Sequence, residues 1–208
     1  SPWSGAFTRH STLVPRHVTL MSELRRDPVT GRCNINATDE PSRPDAFSDE
    51  SAAPNGGQWP FCPGQEPMTP AEVYAVRPSD KGADGPGLSL RVVPNKFPAL
   101  RIEGQLNRRG LGLFDISNGI GAHEVIIENP DHFKALEDLS IEQASKVYET
   151  YKIRMLDLSR DNRFRYILVF KNVGEQAGAS LSHPHSQLIA TPITPKRVSE
   201  ELRGAQEY

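Results

Sequence analysis

The run His183-Pro184-His185-Ser186-Gln187 carries the side chains best suited to chemistry in this chain. On a strand, side chains alternate between faces, so His183, His185 and Gln187 share one face and Pro184, Ser186 and Leu188 the other. Neutral imidazole is both a nucleophile and a metal ligand near pH 7. Two imidazoles and an amide cost buried polarity that a plain core avoids, and the run continues as Leu188-Ile189-Ala190 into what reads as a packed sheet. The competing reading is a pair of half-exposed strand histidines. Upstream, the β-branched and aromatic segment Phe164–Lys171 reads as a strand, followed by the loop Asn172-Val173-Gly174-Glu175-Gln176-Ala177-Gly178-Ala179-Ser180. Small residues there let backbone N–H groups approach an anion, with Ser180 and Asn172 as further donors; a plain strand connection is the alternative.

The elements that must hold these residues follow from pattern. His123–Glu128 and Leu88–Val93 read as strands, Gly82–Gly87 as a turn, and Leu106–Gly121 as a mobile connection. Ser140 and Gln143 form a capping box ahead of one long helix at about 140–160, whose apolar stripe runs through Ile141, Ala144, Val147, Tyr148, Tyr151, Met155 and Leu158 and packs on the sheet. Residues 1–21 lack periodicity and read as a flexible arm before a domain at 22–208; the Pro- and Ser-rich stretch 41–60 reads as an irregular loop. The 208 residues suffice for one core. A hydrophobic content of 37%, a charged content of 24% and a net charge of −2 are those of an ordinary globular protein. They argue against nucleic acid as a partner, and no apolar run approaches the roughly 20 residues that span a bilayer. Cys33 and Cys62 are too few for a disulfide framework, and the N-terminus lacks a secretory pattern, so a cytoplasmic location is expected. A phosphate-bearing ligand needs only a few local cations, which Arg43, Lys96, Arg101 and Lys171 could supply.

Phe170-Lys171-Asn172-x-Gly174 through Ala177-Gly178-Ala179-Ser180-x-x-His183-Pro184-His185-Ser186-Gln187 resembles the active-site stretch of the galactose-1-phosphate uridylyltransferase family, within the histidine-triad superfamily. Other stretches agree in the same order: Arg25-Arg26-Asp27-Pro28-Val29-Thr30-Gly31-Arg32, Ser42-Arg43-Pro44, Pro60-Phe61-Cys62-Pro63-Gly64, Val92-Val93-Pro94-Asn95-Lys96-Phe97-Pro98-Ala99, Gly121–Glu128 and Pro130-Asp131-His132. The resemblance spans roughly residues 22 to 195. It implies an α+β fold, a histidine-triad-like antiparallel sheet flanked by helices.

It also implies a chemistry. His185 matches the nucleophile that attacks the α-phosphorus of a nucleoside diphosphate sugar, releasing sugar 1-phosphate and leaving a nucleotidyl-imidazole that a second sugar 1-phosphate resolves. Its other ring nitrogen should donate to a fixed acceptor such as a backbone carbonyl, and Gln187 should donate its amide to a phosphate oxygen. Arg43, Asn172, Gly178 and Ser180 match phosphate-contacting positions, and Asn95 one near the nucleotide. His183 matches a ligand of a structural zinc together with Cys62 and His132, but Trp59 stands where the family has its first cysteine, which leaves three ligands and zinc occupancy in question. Cys33 is a weaker alternative for the gap.

Two further departures matter. Glu40 is acidic where the family places a basic residue, and the chain stops at Tyr208 whereas relatives continue into a second half, as expected of an N-terminal half acting in a homodimer. Three functions follow: transfer of UMP between UDP-glucose and galactose 1-phosphate, which is the leading expectation; an ADP-sugar phosphorylase or adenylyltransferase, towards which Ser186 and the Ala-Gly-Ala-Ser loop lean; and a truncated non-catalytic nucleotide- or zinc-binding module.

Overall fold

The computed structural model describes residues 22–36, 59–78, 82–85, 87–177 and 181–208. The arm at 1–21, Glu40, Arg43, Gly178, Ser180 and most of the 41–60 loop lie outside the described residues.

The chain forms two antiparallel sheets, an α+β arrangement as expected. The smaller sheet has the order β2-β1-β6-β5, from β1 (Glu23–Arg26), β2 (Cys33–Asn36), β5 (Arg109–Leu111) and β6 (Phe114–Asn118). The larger has the order β3-β4-β7-β9-β8, from β3 (Tyr74–Val76), β4 (Leu90–Pro94), β7 (Ala122–Ile127), β8 (Tyr166–Phe170) and β9 (His185–Thr191). Expected as a mobile connection, 106–121 instead contains the β5–β6 hairpin. Helix α1 (Ile141–Leu158) covers one face of the larger sheet, and a second helix, α2 (Lys196–Glu207), which periodicity did not reveal, buries no side chain. No helix among the described residues is long and apolar enough to cross a membrane.

Strand alternation sorts the larger sheet. Leu90, Val92, Ala122, Ile126, Leu188 and Ala190 point towards α1 and join Val147 and Leu158 in the main core. Val93, Val125 and Ile127 point the other way, and among the described residues Phe61 packs against them. The buried face of α1 is Val147, Thr150, Arg154 and Leu158, with Tyr151 packed beside them; Ile141, Tyr148 and Met155 are exposed, so the expected stripe is rotated. Polar residues displace it because each finds a partner: Thr150 donates to the Lys146 carbonyl (2.8 Å), and Arg154 grips Glu124 of β7 through two bonds of 2.7 and 2.9 Å. Half of the capping box forms. Ser140 Oγ accepts the Gln143 N–H at 3.2 Å, while the Gln143 amide donates instead to the carbonyls of Ser89 and Glu128, stitching the helix start to the sheet.

Gly121 sets the approach of β7 to β9. A Cβ there would lie 2.4 Å from the Ala190 carbonyl oxygen and 2.6 Å from Leu100 Cδ1. Gly121→Ala is therefore expected to cost about 1–3 kcal/mol and to lower the thermal midpoint by a few degrees. A midpoint equal to that of the unchanged chain would show that β7 shifts freely.

Candidate functional site

β9 begins at His185, so His183 is not on the strand face with His185 and Gln187; it sits in the preceding bend. Pro184 has no N–H to give to the ladder, and the strand starts only after it. This frees the His183 ring, fully buried, to turn towards Cys62, whose Sγ lies 3.5 Å from His183 Nδ1 and 3.4 Å from His132 Nδ1.

Each member of this cluster is locally fixed. A turn holds Cys62 (Cys62 N–H to the Trp59 carbonyl, 3.1 Å), and Asn129 shapes the 130–134 turn by accepting the Asp131 N–H and donating to the Lys134 carbonyl. His183 Nε2 donates to the Asn129 carbonyl at 3.0 Å, and His132 Nε2 lies 3.0 Å from Ser182 Oγ. Both rings thus use Nε2 outward, leaving Nδ1 beside the sulfur. The three donor atoms lie within 4.8 Å of one another, a fit for a zinc-sized ion held by one thiolate and two imidazoles. Burial pushes the His183 imidazole below its usual range, which suits a neutral ligand, and pushes the Cys62 thiol up. Trp59 supplies no fourth ligand; its ring packs on His132 with centroids 5.1 Å apart. Cys33 is in β2 of the other sheet and does not join the cluster. Zinc here would tie together the Cys62 turn, the His132 turn and the His183 bend. Metal analysis of the purified chain is expected to find less than one equivalent, rising in Trp59→Cys; a full equivalent in the unchanged chain would show that another group completes the site.

His185 and Gln187 project from β9 on the side away from α1, beside Ile127 and Val125 of β7, and Phe170 of β8 also pairs with Gln187. His185 Nδ1 donates to the His183 carbonyl at 2.8 Å, which fixes the tautomer and leaves the Nε2 lone pair for reaction. The Phe61 ring meets the imidazole edge-on, with centroids 5.2 Å apart. Burial pushes His185 below its usual range despite that bond, so the ring is neutral at pH 7. Gln187 lies further along the strand, its Oε1 2.8 Å from His123 Nε2, and Asn95 Nδ2 is 3.2 Å from the same nitrogen. Asn172 follows Phe170, so β8 carries it to the His185 end of the sheet.

Directly behind His185, on the helix side, lies a polar cluster that sequence reading missed. Glu128, fully buried, accepts from Ser186 Oγ (2.5 Å) and from Lys171 Nζ (2.5 Å), and the Tyr151 hydroxyl lies 2.6 Å from Ser186 Oγ. Lys171 is thus committed to a carboxylate rather than available to a ligand. Burial pushes the Tyr151 phenol up to about 12, so it serves as a hydrogen-bonding group and not as a base. The signal in the sequence was Glu128 closing an apolar strand, since a buried carboxylate demands a partner.

The model of the galactose-1-phosphate uridyl transferase N-terminal domain matches residues 15–195. The chain is 37% identical over 191 residues to an ADP-glucose phosphorylase of Arabidopsis thaliana, covering 89% of this chain and 53% of that protein. It is 29% identical over 189 residues to a galactose-1-phosphate uridylyltransferase of Thermotoga maritima, covering 90% and 52%. The crystal structure of an ADP-glucose phosphorylase from Arabidopsis thaliana with bound ADP-glucose superposes with a TM-score of 0.63 at 35% identity, covering 90% of this chain and 54% of the other. The chain spans about half the length of the curated relatives it matches.

Proposed function

The chain belongs to the galactose-1-phosphate uridyl transferase family, and from that premise we propose that it transfers a nucleotidyl group from a nucleoside diphosphate sugar to a phosphate acceptor through His185. The observation that carries this reading is the His185 imidazole, whose Nδ1 is bonded to the His183 carbonyl at 2.8 Å, which leaves the lone pair on Nε2. Nε2 attacks the α-phosphorus; the N–P bond forms as the bond from that phosphorus to the bridging oxygen breaks, and sugar 1-phosphate leaves. Positive charge that develops on the ring is stabilised by the carbonyl at Nδ1. The Gln187 amide donates to a non-bridging oxygen as its charge grows. In the return step an acceptor phosphate oxygen attacks the same phosphorus and the N–P bond breaks, restoring neutral His185. Arg43, Asn95, Asn172, Gly178 and Ser180 are the proposed nucleotide and phosphate contacts. Cys62, His132 and His183 would hold zinc in a structural role, and no step passes through it.

Among nucleotides, the adenylyl reading is favoured: ADP-glucose and inorganic phosphate give glucose 1-phosphate and ADP. Its support is the higher identity to the ADP-glucose phosphorylase, 37% against 29%, together with Ser186 in the Glu128 cluster. The uridylyl reading, UMP moving from UDP-glucose to galactose 1-phosphate, shares every step at His185 and is supported by the Thermotoga maritima relative. The test is release of glucose 1-phosphate from each nucleotide sugar with phosphate or galactose 1-phosphate as acceptor. Turnover of ADP-glucose with phosphate supports the first reading, turnover of UDP-glucose with galactose 1-phosphate replaces it with the second, and release from neither overturns both.

A further inference from the structure

We propose that His123 is a positioning residue for Gln187: its Nε2–H fixes which end of the Gln187 carboxamide faces the substrate. The inference rests on the nucleotidyl-transfer reading of the site. A carboxamide has two ends of nearly equal shape, an acceptor and a double donor. Turned one way, Gln187 offers N–H groups to a phosphate oxygen; turned the other, it offers a carbonyl that repels the charge it should stabilise. His185 and the strand do not choose between these, because the amide is distal to the backbone. His123 does.

The assignment follows from a donor that cannot be reversed. The Ala99 backbone N–H lies 3.2 Å from His123 Nδ1 and can only donate, so Nδ1 is the bare nitrogen and Nε2 carries the proton. Nε2 lies 2.8 Å from Gln187 Oε1, and a protonated nitrogen requires an acceptor there. The carbonyl end of Gln187 is therefore held against His123 and its amino end is directed away. Asn95 does not disturb this. Its Oδ1 accepts the Phe97 N–H at 2.9 Å, so its amino end faces His123 Nε2 at 3.2 Å, a contact between two donors and not a hydrogen bond. The ring itself is held from the backbone: the Asn95 N–H donates to the His123 carbonyl at 2.8 Å, so the 95–99 segment grips His123 at both its main chain and its ring.

The test is a double-mutant cycle on the whole chain, with His123→Phe, Gln187→Ala and the pair, read as the single-turnover rate of sugar 1-phosphate release and as KM against kcat. His123→Phe is expected to lower kcat by about 10–100-fold with little change in KM, the scale seen when a supporting hydrogen bond behind a functional side chain is lost. In the Gln187→Ala background the same change is expected to cost less than about twofold, because its effect passes through Gln187. His123→Gln, which keeps a donor near the position of Nε2, is expected to restore most of the lost rate and guards against misfolding of the phenylalanine variant. An equal loss from His123→Phe in both backgrounds would overturn the proposal, as would no loss in the unchanged background or no recovery with His123→Gln. If the unchanged chain releases no sugar 1-phosphate, the nucleotidyl-transfer reading fails and this inference falls with it; if it does and the cycle is additive, the inference alone fails.

Discussion

Replacing His185 with asparagine is expected to lower nucleotidyl transfer by about 10⁴-fold or more, the scale on which removal of an enzymatic nucleophile acts. Asparagine keeps a polar side chain that can still donate to the His183 carbonyl, where Nδ1 does so at 2.8 Å, but supplies no lone pair at the position of Nε2. The strand pairing with β7 and β8 should survive, because the ladder bonds are backbone bonds and Phe61 still covers the neighbouring Ile127 and Val125. The variant should therefore keep its thermal midpoint and bind nucleotide sugar while failing to release sugar 1-phosphate. Gln187→Ala is milder, about 10²–10³-fold, since it removes a donor to developing charge and not the bond-forming atom. A His185→Asn protein that turns over at a substantial fraction of the original rate would remove the imidazole from the mechanism.

The second large effect concerns stability. Arg154 and Glu124 are both nearly buried, side chains 9% and 7% exposed, and face each other as a two-bond fork between α1 and β7. The pair does for the helix what an apolar contact would do elsewhere, and hydrogen bonding to Glu124 holds the guanidinium above its usual range against the opposing effect of burial. Removing Glu124 leaves the buried guanidinium with Asp157 alone, a half-exposed carboxylate 2.9 Å from Nη1. Glu124→Ala is expected to cost about 3–5 kcal/mol in a urea titration, a large part of the stability of an ordinary domain. Replacing both together, Glu124→Leu with Arg154→Met, should recover much of that loss, because two shape-compatible apolar groups avoid the cost of desolvating ions. An unchanged midpoint in Glu124→Ala would mean that water reaches Arg154.

What was legible in the sequence, and what was not, has physical reasons. Alternation along β9 put His185 and Gln187 on one face, because backbone pleating makes that assignment independent of tertiary context. The same rule failed for His183 because Pro184 delays the strand, and the bend it leaves is what carries the ring to Cys62 and His132. Ser140 marked the start of α1, yet counting apolar residues rotated the helix: Thr150 and Arg154 are buried through partners that lie on the helix backbone and on β7. The β5–β6 hairpin was hidden by its glycines and by exposed Leu111, Leu113 and Phe114, which break the alternation that announces a half-buried strand. His123 stands in β7 and Glu128 directly after its end, and their roles depend on neighbours in β9 that only the register reveals.

The central claim is a covalent nucleotidyl-histidine at His185, and it is tested most directly by the intact mass of the purified chain after incubation with ADP-glucose or UDP-glucose without an acceptor. Non-acidic conditions are needed because the phosphorus–nitrogen bond is acid-labile. The expected result is the added mass of one AMP, or of one UMP on the uridylyl reading, located on the peptide containing His185 and discharged by the acceptor. An unmodified mass with both sugars while glucose 1-phosphate is released would contradict the covalent route, and an adduct retained in the His185→Asn protein would place the nucleophile elsewhere.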